Sequence, residues 1–146
     1  MGRLLCEAIG WNERQRLPGL AVDVVDATTV SRQGAKGTDH RLHLRIDLAS
    51  NRVVEAELTD AKGGETLERF AIRPGAVVIA DAGYAHRGPL GRISEGGGHF
   101  VVRFSWSNLP LENETGEAID LLAMLESLPE AEPGEFPVFF RTPEGS

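Results

Sequence analysis

The chain has 146 residues, of which 41% are hydrophobic and 25% are charged, and its net charge is −7. These proportions are typical of a soluble globular protein. No apolar run approaches the ~20 residues that cross a bilayer, and no apolar stretch follows a basic start at the amino terminus. The single cysteine excludes an internal disulfide and a cysteine metal cluster. We therefore expect a cytoplasmic protein without a membrane partner.

The negative charge is concentrated in the last quarter of the chain. Residues 1–111 contain 14 Lys and Arg against 13 Asp and Glu, whereas residues 112–146 contain nine acids against Arg141. Proteins that bind nucleic acid usually have a basic surface. A nearly neutral body with an acidic tail neither predicts nor excludes DNA as a partner.

The first elements follow a polar start. Residues 1–19 are mostly polar and end at a Pro-Gly break, so we interpret them as a linker or the remnant of an upstream part. The apolar, β-branched run 21–25 predicts a buried strand that ends at Asp26. The Gly, Ser and Thr residues of 31–39 predict a loop.

The clearest pattern is a β-hairpin. Alternating apolar residues predict a strand over 41–48 and a second strand over 54–58. Keeping the apolar residues of both strands on one face gives a three-residue loop over 50–52. In that register Arg45 faces Glu57 as an exposed ion pair.

The second half of the chain predicts alternating helices and strands. The predicted elements are a short helix over 65–70, a buried strand over 76–80, a helix from Pro89 to the glycines 96–98, a strand over 99–104, a helix over 117–128, a linker over 130–135 and a last strand over 136–141. An antiparallel hairpin leading into parallel βαβ units predicts an α/β fold. We expect a mixed sheet with flanking helices, the beginning of a ribonuclease H-like topology.

Two aspartates follow predicted strands at the points where each strand enters a loop. These are Asp26 and Asp81. If the two strands are neighbours, their carboxylates converge at one edge of the sheet. Mg²⁺ is commonly held by one or two carboxylates, and paired ions support phosphodiester chemistry. A purely structural role, as loop-capping residues, is the alternative.

Several segments, in order, resemble one enzyme family. They are VVDATTVS at 24–31, GAKGTDHRLH at 34–43, LTDA at 58–61 with Gly64-Glu65, ADAGYA at 80–85 and FVVR at 100–103. These resemble motifs of IS4-type DDE transposases, and the resemblance covers roughly residues 20–112. It implies a ribonuclease H-like catalytic domain for cut-and-paste DNA transposition.

The resemblance also implies roles for individual residues. Asp26 and Asp81 would be catalytic residues and ligands of Mg²⁺ (or Mn²⁺), and DNA at transposon ends and in the target would be the partner. A homodimer is compatible with this reading. Residues that we expect to contact DNA are Lys36, Arg41, Tyr84 and Arg87. The alternatives are a solvated hairpin face for Lys36 and Arg41 and packing beside Asp81 for Tyr84.

Two departures from the family pattern are visible. Ala82 stands where the family usually has Arg, and no third catalytic Glu is identified. We therefore interpret 20–111 as a catalytic core fragment, incomplete at its carboxyl end, and 112–146 as the start of an insertion domain. We expect the chain alone not to cleave DNA. The alternative is a non-catalytic transposase remnant or a DNA- or protein-binding module.

Overall fold

The computed structural model describes residues 19–128 and 135–142. It contains a five-stranded sheet in the order β3-β2-β1-β4-β5. Strands β1 and β2 and strands β2 and β3 pair antiparallel, whereas β1 and β4 and β4 and β5 pair parallel. The strands are β1 (Ala21–Val30), β2 (His40–Asp47), β3 (Arg52–Asp60), β4 (Ala76–Ala80) and β5 (His99–Val102). The helices are α1 (Arg87–Glu95), α2 (Leu121–Glu126) and the 3₁₀ turns Leu67–Arg69 and Ala82–Tyr84.

This architecture confirms the predicted α/β class, with a mixed sheet and helices beside it in a ribonuclease H-like arrangement. The predicted linker 1–19 lies outside the described residues except for Gly19, as does the linker 130–135 except for Glu135. No helix in the described part of the chain is long and apolar enough to cross a membrane.

The predicted boundaries hold best where local chemistry fixes them. Strand β4 ends where predicted because Asp81 accepts a hydrogen bond from the Ala82 backbone N–H and caps the next turn. Helix α1 contains Pro89 in its first turn. Gly97, with φ of 74°, ends the helix in a left-handed conformation that favours glycine.

One face of the sheet carries the core. It packs against α1 and the Leu67–Arg69 turn through buried side chains. These include Val25, Val78, Leu67, Phe70, Tyr84, Leu90 and Ile93. The opposite face, read from the strand pairing, carries aliphatic side chains that are more than half exposed: Val53, Leu58 and Val101. Below, the two are called the covered face and the open face.

The hairpin register differs from the prediction. Arg45 pairs with Glu55 rather than with Glu57, a shift of two residues, and the loop covers 48–51. The predicted Arg45–Glu57 ion pair is therefore wrong, and Glu57 pairs with Arg69 at 2.9 Å. An irregularity beside Arg45 and Ile46 absorbs an extra residue of β3, and apolar alternation cannot reveal such a bulge.

The prediction that Arg45 is exposed is also wrong. Arg45 lies on the covered face and is only 8% exposed. The segment that follows β3 crosses this face, as the hydrogen bond from Ala71 N to Glu55 Oε2 (3.3 Å) shows. A polar side of the hairpin is thus buried, although its composition suggested a solvated surface.

The carboxyl-terminal part has less regular structure than predicted. Helix α2 is shorter than 117–128, because Asp120 caps it and Ala118 instead forms a bridge with Glu112. The predicted strand 136–141 is reduced to an isolated bridge between Glu112 and Phe139. Phe140 packs against Phe100 of β5, with ring centroids 6.2 Å apart. The predicted division at residue 111 stays a prediction.

Candidate active site at the carboxyl edge of the sheet

Asp26 and Asp81 lie side by side in the strand register. Strand β1 continues past Asp26 by pairing with β2, so Asp26 is within the strand rather than at its end. The parallel pairing of β1 with β4, however, ends at Val25 opposite Ala80. Asp26 and Asp81 are the next residues on these neighbouring strands. Strands β1 and β4 are therefore adjacent, which was the condition under which the two carboxylates were expected to converge.

The Asp81 carboxylate is held by two kinds of donor. Its Oδ1 accepts a hydrogen bond from the Ala82 backbone N–H (2.6 Å), which fixes the start of the 3₁₀ turn. The Arg103 guanidinium then contacts both oxygens, with Nε 2.8 Å from Oδ1 and Nη2 3.1 Å from Oδ2. This is the two-pronged geometry that arginine forms with carboxylates.

The Asp26 carboxylate is exposed and less constrained. Its Oδ1 accepts a hydrogen bond from the backbone N–H of Ala27 at 2.8 Å. Among the described residues it forms no ion pair. The edge of the sheet therefore presents one arginine-paired carboxylate beside one that solvent or a cation can reach.

Glu65 adds a third carboxylate near this edge. Its Oε1 lies 3.4 Å from Nη1 of Arg41. Its other oxygen packs so closely against Gly83 that a Cβ at position 83 would collide with it. The turn after Asp81 therefore requires glycine at this position as long as Glu65 keeps its place.

Tyr84 lies in the core beneath the site, with 1% of its surface exposed. Burial, together with the negative charges of Glu65 and Asp26, raises the pKa of Tyr84 to about 12. Its hydroxyl is buried without a hydrogen-bond partner among the described residues. This placement favours packing beside Asp81, one of the two roles that the sequence left open.

The other predicted DNA contacts lie apart from one another. Lys36 is exposed in the loop after β1, whereas Arg41 is paired with Glu65 on the covered face. Arg87 opens α1 and lines a cavity of about 490 Å³ together with His86 and Arg92. None of the residues that line this cavity is Asp26 or Asp81. The strand register thus places the two aspartates at neighbouring backbone positions, whereas the basic residues lie apart.

The residues at the edge fit a divalent cation in their chemistry. Hard cations such as Mg²⁺ prefer carboxylate oxygens, and the guanidinium on Asp81 shows that this position already attracts a positive group. Among the described residues, however, no group of three or more potential metal-ligating side chains is found. Two carboxylates would leave most of the coordination to water and substrate.

Arg103 and Glu65 were not predicted as site residues. Arg103 reaches Asp81 because Val102 pairs with Ala80, which places the next residues of β5 and β4 together. In the sequence Arg103 lay within the predicted strand 99–104 and the family-like segment 100–103, neither of which pointed to a contact with Asp81. Glu65 was part of the family-like segment with Gly64, but its approach to Gly83 joins residues far apart in the chain and could not be predicted from the sequence.

Comparison with known proteins finds similarity to transposases. The model of the transposase DDE domain family matches residues 17–125. The transposase of insertion sequence element IS421 from Escherichia coli is 31% identical over 118 residues. InsL, named as a transposase of insertion sequence element IS186A in Escherichia coli K12, gives the same values. Each alignment covers 80% of this chain and 32% of the relative, and no solved structure matches.

Proposed function

The chain belongs to the transposase DDE domain family, and from this premise we propose that it forms the metal-binding part of an IS4-type catalytic core. The observation that carries the proposal is the register that places Asp26 next to Asp81 on parallel strands. The proposed substrates are DNA at transposon ends and target DNA. Because the chain spans only 32% of the length of its relatives, cut-and-paste transposition is proposed for the larger protein.

In the proposed mechanism the two aspartates would hold Mg²⁺ or Mn²⁺ between neighbouring strands. A divalent cation in such a site lowers the pKa of an attacking water and balances the charge on the scissile phosphate. The Ala82 N–H keeps the Asp81 carboxylate oriented, and the hydrogen bond from the Tyr84 N–H to the Asp81 carbonyl holds the following turn. These contacts supply the positional accuracy on which phosphoryl transfer depends.

DNA contacts are proposed for basic residues around this edge. Lys36 is free to meet phosphates from the loop after β1, and Arg87 is exposed at the start of α1. Arg41 would have to leave Glu65 before it could do the same. Phosphate contacts of this kind position DNA without reading its sequence.

We propose that the chain by itself binds metal without cleaving DNA. A third acid is expected to complete the catalytic set, and although Glu65 lies near this edge, the described residues contain no group of three side chains that could hold a metal ion together. The same observation favours the second candidate function, a non-catalytic module that binds DNA or another protein.

Mn²⁺ binding, measured by the loss of the free-ion signal in electron paramagnetic resonance, tests the proposed site. We expect the wild type to bind Mn²⁺ and both Asp26→Asn and Asp81→Asn to lose about tenfold or more in affinity, since each removes a ligand charge. Glu114→Gln removes an equal charge from an exposed turn and should have no such effect. Equal weakening in all three variants would indicate diffuse attraction of cations rather than a site.

Nicking of supercoiled plasmid DNA in the presence of Mg²⁺ distinguishes binding from catalysis. We expect no nicking by the wild-type chain. Nicking that disappears in Asp81→Asn would show that the chain is catalytic alone, and would contradict the proposal of an inactive metal-binding part.

A further inference from the structure

The guanidinium of Arg103 occupies both carboxylate oxygens of Asp81, the residue assigned to the metal in the proposed function. We propose that Arg103 is a built-in competitor of the divalent cation, so that metal binding at this edge requires the Arg103–Asp81 contact to open. The inference rests on the proposed function because it assumes that Asp81 is a metal ligand. It goes further by assigning a role to a residue outside the ligand set.

The backbone brings the competitor to the site. Strand β5 pairs parallel with β4 so that Val102 lies opposite Ala80, and the Arg103 N–H donates to the Ala80 carbonyl at 3.3 Å. The side chain therefore starts beside Asp81 and reaches it without ordering a long loop. A contact between neighbouring strands acts at a high effective concentration.

The competition is electrostatic as well as geometric. Oδ1 of Asp81 already accepts from Ala82 N at 2.6 Å and receives Arg103 Nε at 2.8 Å. Spare lone pairs remain on the carboxylate, but a divalent ion placed on them would face a guanidinium at close range. Two cations on one carboxylate repel each other, so binding of the ion and the Arg103 contact oppose each other.

The contact is weak enough to be opened. The Arg103 side chain is 77% exposed and that of Asp81 is 57% exposed. Water and salt screen ion pairs at such positions, and long side chains lose entropy when they are held. The pair is therefore suited to exchange rather than to permanent fixation of the fold.

The test compares Mn²⁺ affinities of the intact chain and its variants at low ionic strength. Removing the guanidinium in Arg103→Gln should tighten Mn²⁺ binding about three- to tenfold. Arg103→Lys keeps the charge but loses the two-pronged contact. Its Mn²⁺ affinity should therefore lie between those of the wild type and Arg103→Gln. Arg73→Gln is the matched control, because it removes an exposed arginine before β4, at the opposite end of that strand. It should change the affinity much less.

A double variant shows whether the effect passes through Asp81. In an Asp81→Asn background, Arg103→Gln should no longer tighten Mn²⁺ binding, since the contact has already been removed. Thermal melting should show that Arg103→Gln folds, with a midpoint within about 4 °C of the wild type.

The outcomes separate this inference from the proposed function. If the wild type binds Mn²⁺ and Arg103→Gln binds it equally or more weakly, the competitor role is overturned while the metal site stands. If neither the wild type nor Arg103→Gln binds Mn²⁺, the proposed metal site is wrong and the inference fails with it. A tightening that persists in the Asp81→Asn background would also overturn it.

Discussion

Two arginine–carboxylate pairs, one with Asp23 within β1 and one with Asp81 directly after β4, differ mainly in their surroundings. Arg45 and Asp23 are 2.8 Å apart with side chains 10% and 1% exposed, whereas Arg103 and Asp81 are equally close but largely exposed. The first pair is enclosed by the covered face. The second stands at the open edge of the sheet. By contact distance alone the two pairs would be equivalent. Because of the difference in burial, the Arg45–Asp23 pair is a fixed cross-link, whereas the Arg103–Asp81 pair can exchange.

The buried pair joins three strands. Arg45 of β2 donates to Asp23 of β1 and also to Glu55 of β3, at 2.5 Å. Burial by itself would lower the pKa of Arg45, but the hydrogen bonds to Glu55 and Asp23 outweigh it and raise the pKa. The charged form is thus strongly favoured, and the sheet depends on this arginine keeping its partners.

The largest effect is expected from breaking the buried pair. Asp23→Ala leaves the Arg45 charge buried with only Glu55 as a partner and should lower the free energy of unfolding by about 3–5 kcal/mol. Urea denaturation measures the loss. Asp81→Asn, which breaks the exposed pair, should cost no more than about 1 kcal/mol. Comparable losses in the two variants would remove the distinction between the pairs.

A double replacement sharpens this result. Asp23→Val combined with Arg45→Leu removes both charges and should recover part of the loss, because an uncompensated buried charge is the main cause of the damage. No recovery would mean that Asp23 stabilises the sheet by other contacts.

A smaller effect is expected at Gly83, in the turn that follows Asp81. Gly83→Ala places a Cβ against the end of the flexible, part-exposed Glu65 side chain, which must then move away from Arg41, and should lower the free energy of unfolding by about 1 kcal/mol or less. Gly64→Ala, where a Cβ meets no atom within 4 Å, is the control. Adding Glu65→Ala to Gly83→Ala should relieve the collision. If the loss in free energy of unfolding remains in the double variant, it is caused by the backbone of the turn and not by the contact with Glu65.

The smallest effect is a pH dependence of the covered face. Burial, and next the charge of Arg69, lower the pKa of His43 below the ordinary value for histidine, about 6.5. The unfolded chain therefore binds a proton more readily at this residue, so stability is present above about pH 6.5 and is lost as the pH falls towards the lowered pKa. The slope from one such residue cannot exceed about 1.4 kcal/mol per pH unit.

Urea denaturation between about pH 5.5 and pH 7.5 measures this dependence. The slope of the free energy of unfolding against pH should be smaller in His43→Gln than in the wild type. His40→Gln, at the exposed start of the same strand, should keep the wild-type slope. A wild-type slope that survives in His43→Gln would assign it to other residues.

Features fixed by local chemistry could be predicted from the sequence. Strand β4 is a continuous apolar run with Gly75 before it and Asp81 after it, and both ends were predicted correctly. The hairpin was predicted, but its register was not. A shift of two residues keeps every side chain on its face, so alternation cannot distinguish Glu55 from Glu57 as the partner of Arg45.

Features that depend on distant segments could not be predicted. Composition suggested that the polar side of the hairpin faces solvent, yet His43 is fully buried there because the segment after β3 crosses it. Asp26 and Asp81 were identified as a pair by their positions after apolar runs. Arg103 was missed, since its contact follows from the pairing of β5 with β4.

The parallel pairing of β1 with β4 also has a kinetic consequence. Strands β1, β2 and β3 are consecutive antiparallel neighbours, whereas β4 joins β1 only after the whole hairpin and the Leu67–Arg69 turn have been passed. Pairing that closes a longer loop carries a larger entropic barrier, so we expect β4 to dock late in folding. Asp26 and Asp81 become neighbours only at that step. A cation that needs both carboxylates would then bind only chains that have completed it, and would slow unfolding without speeding the formation of the hairpin.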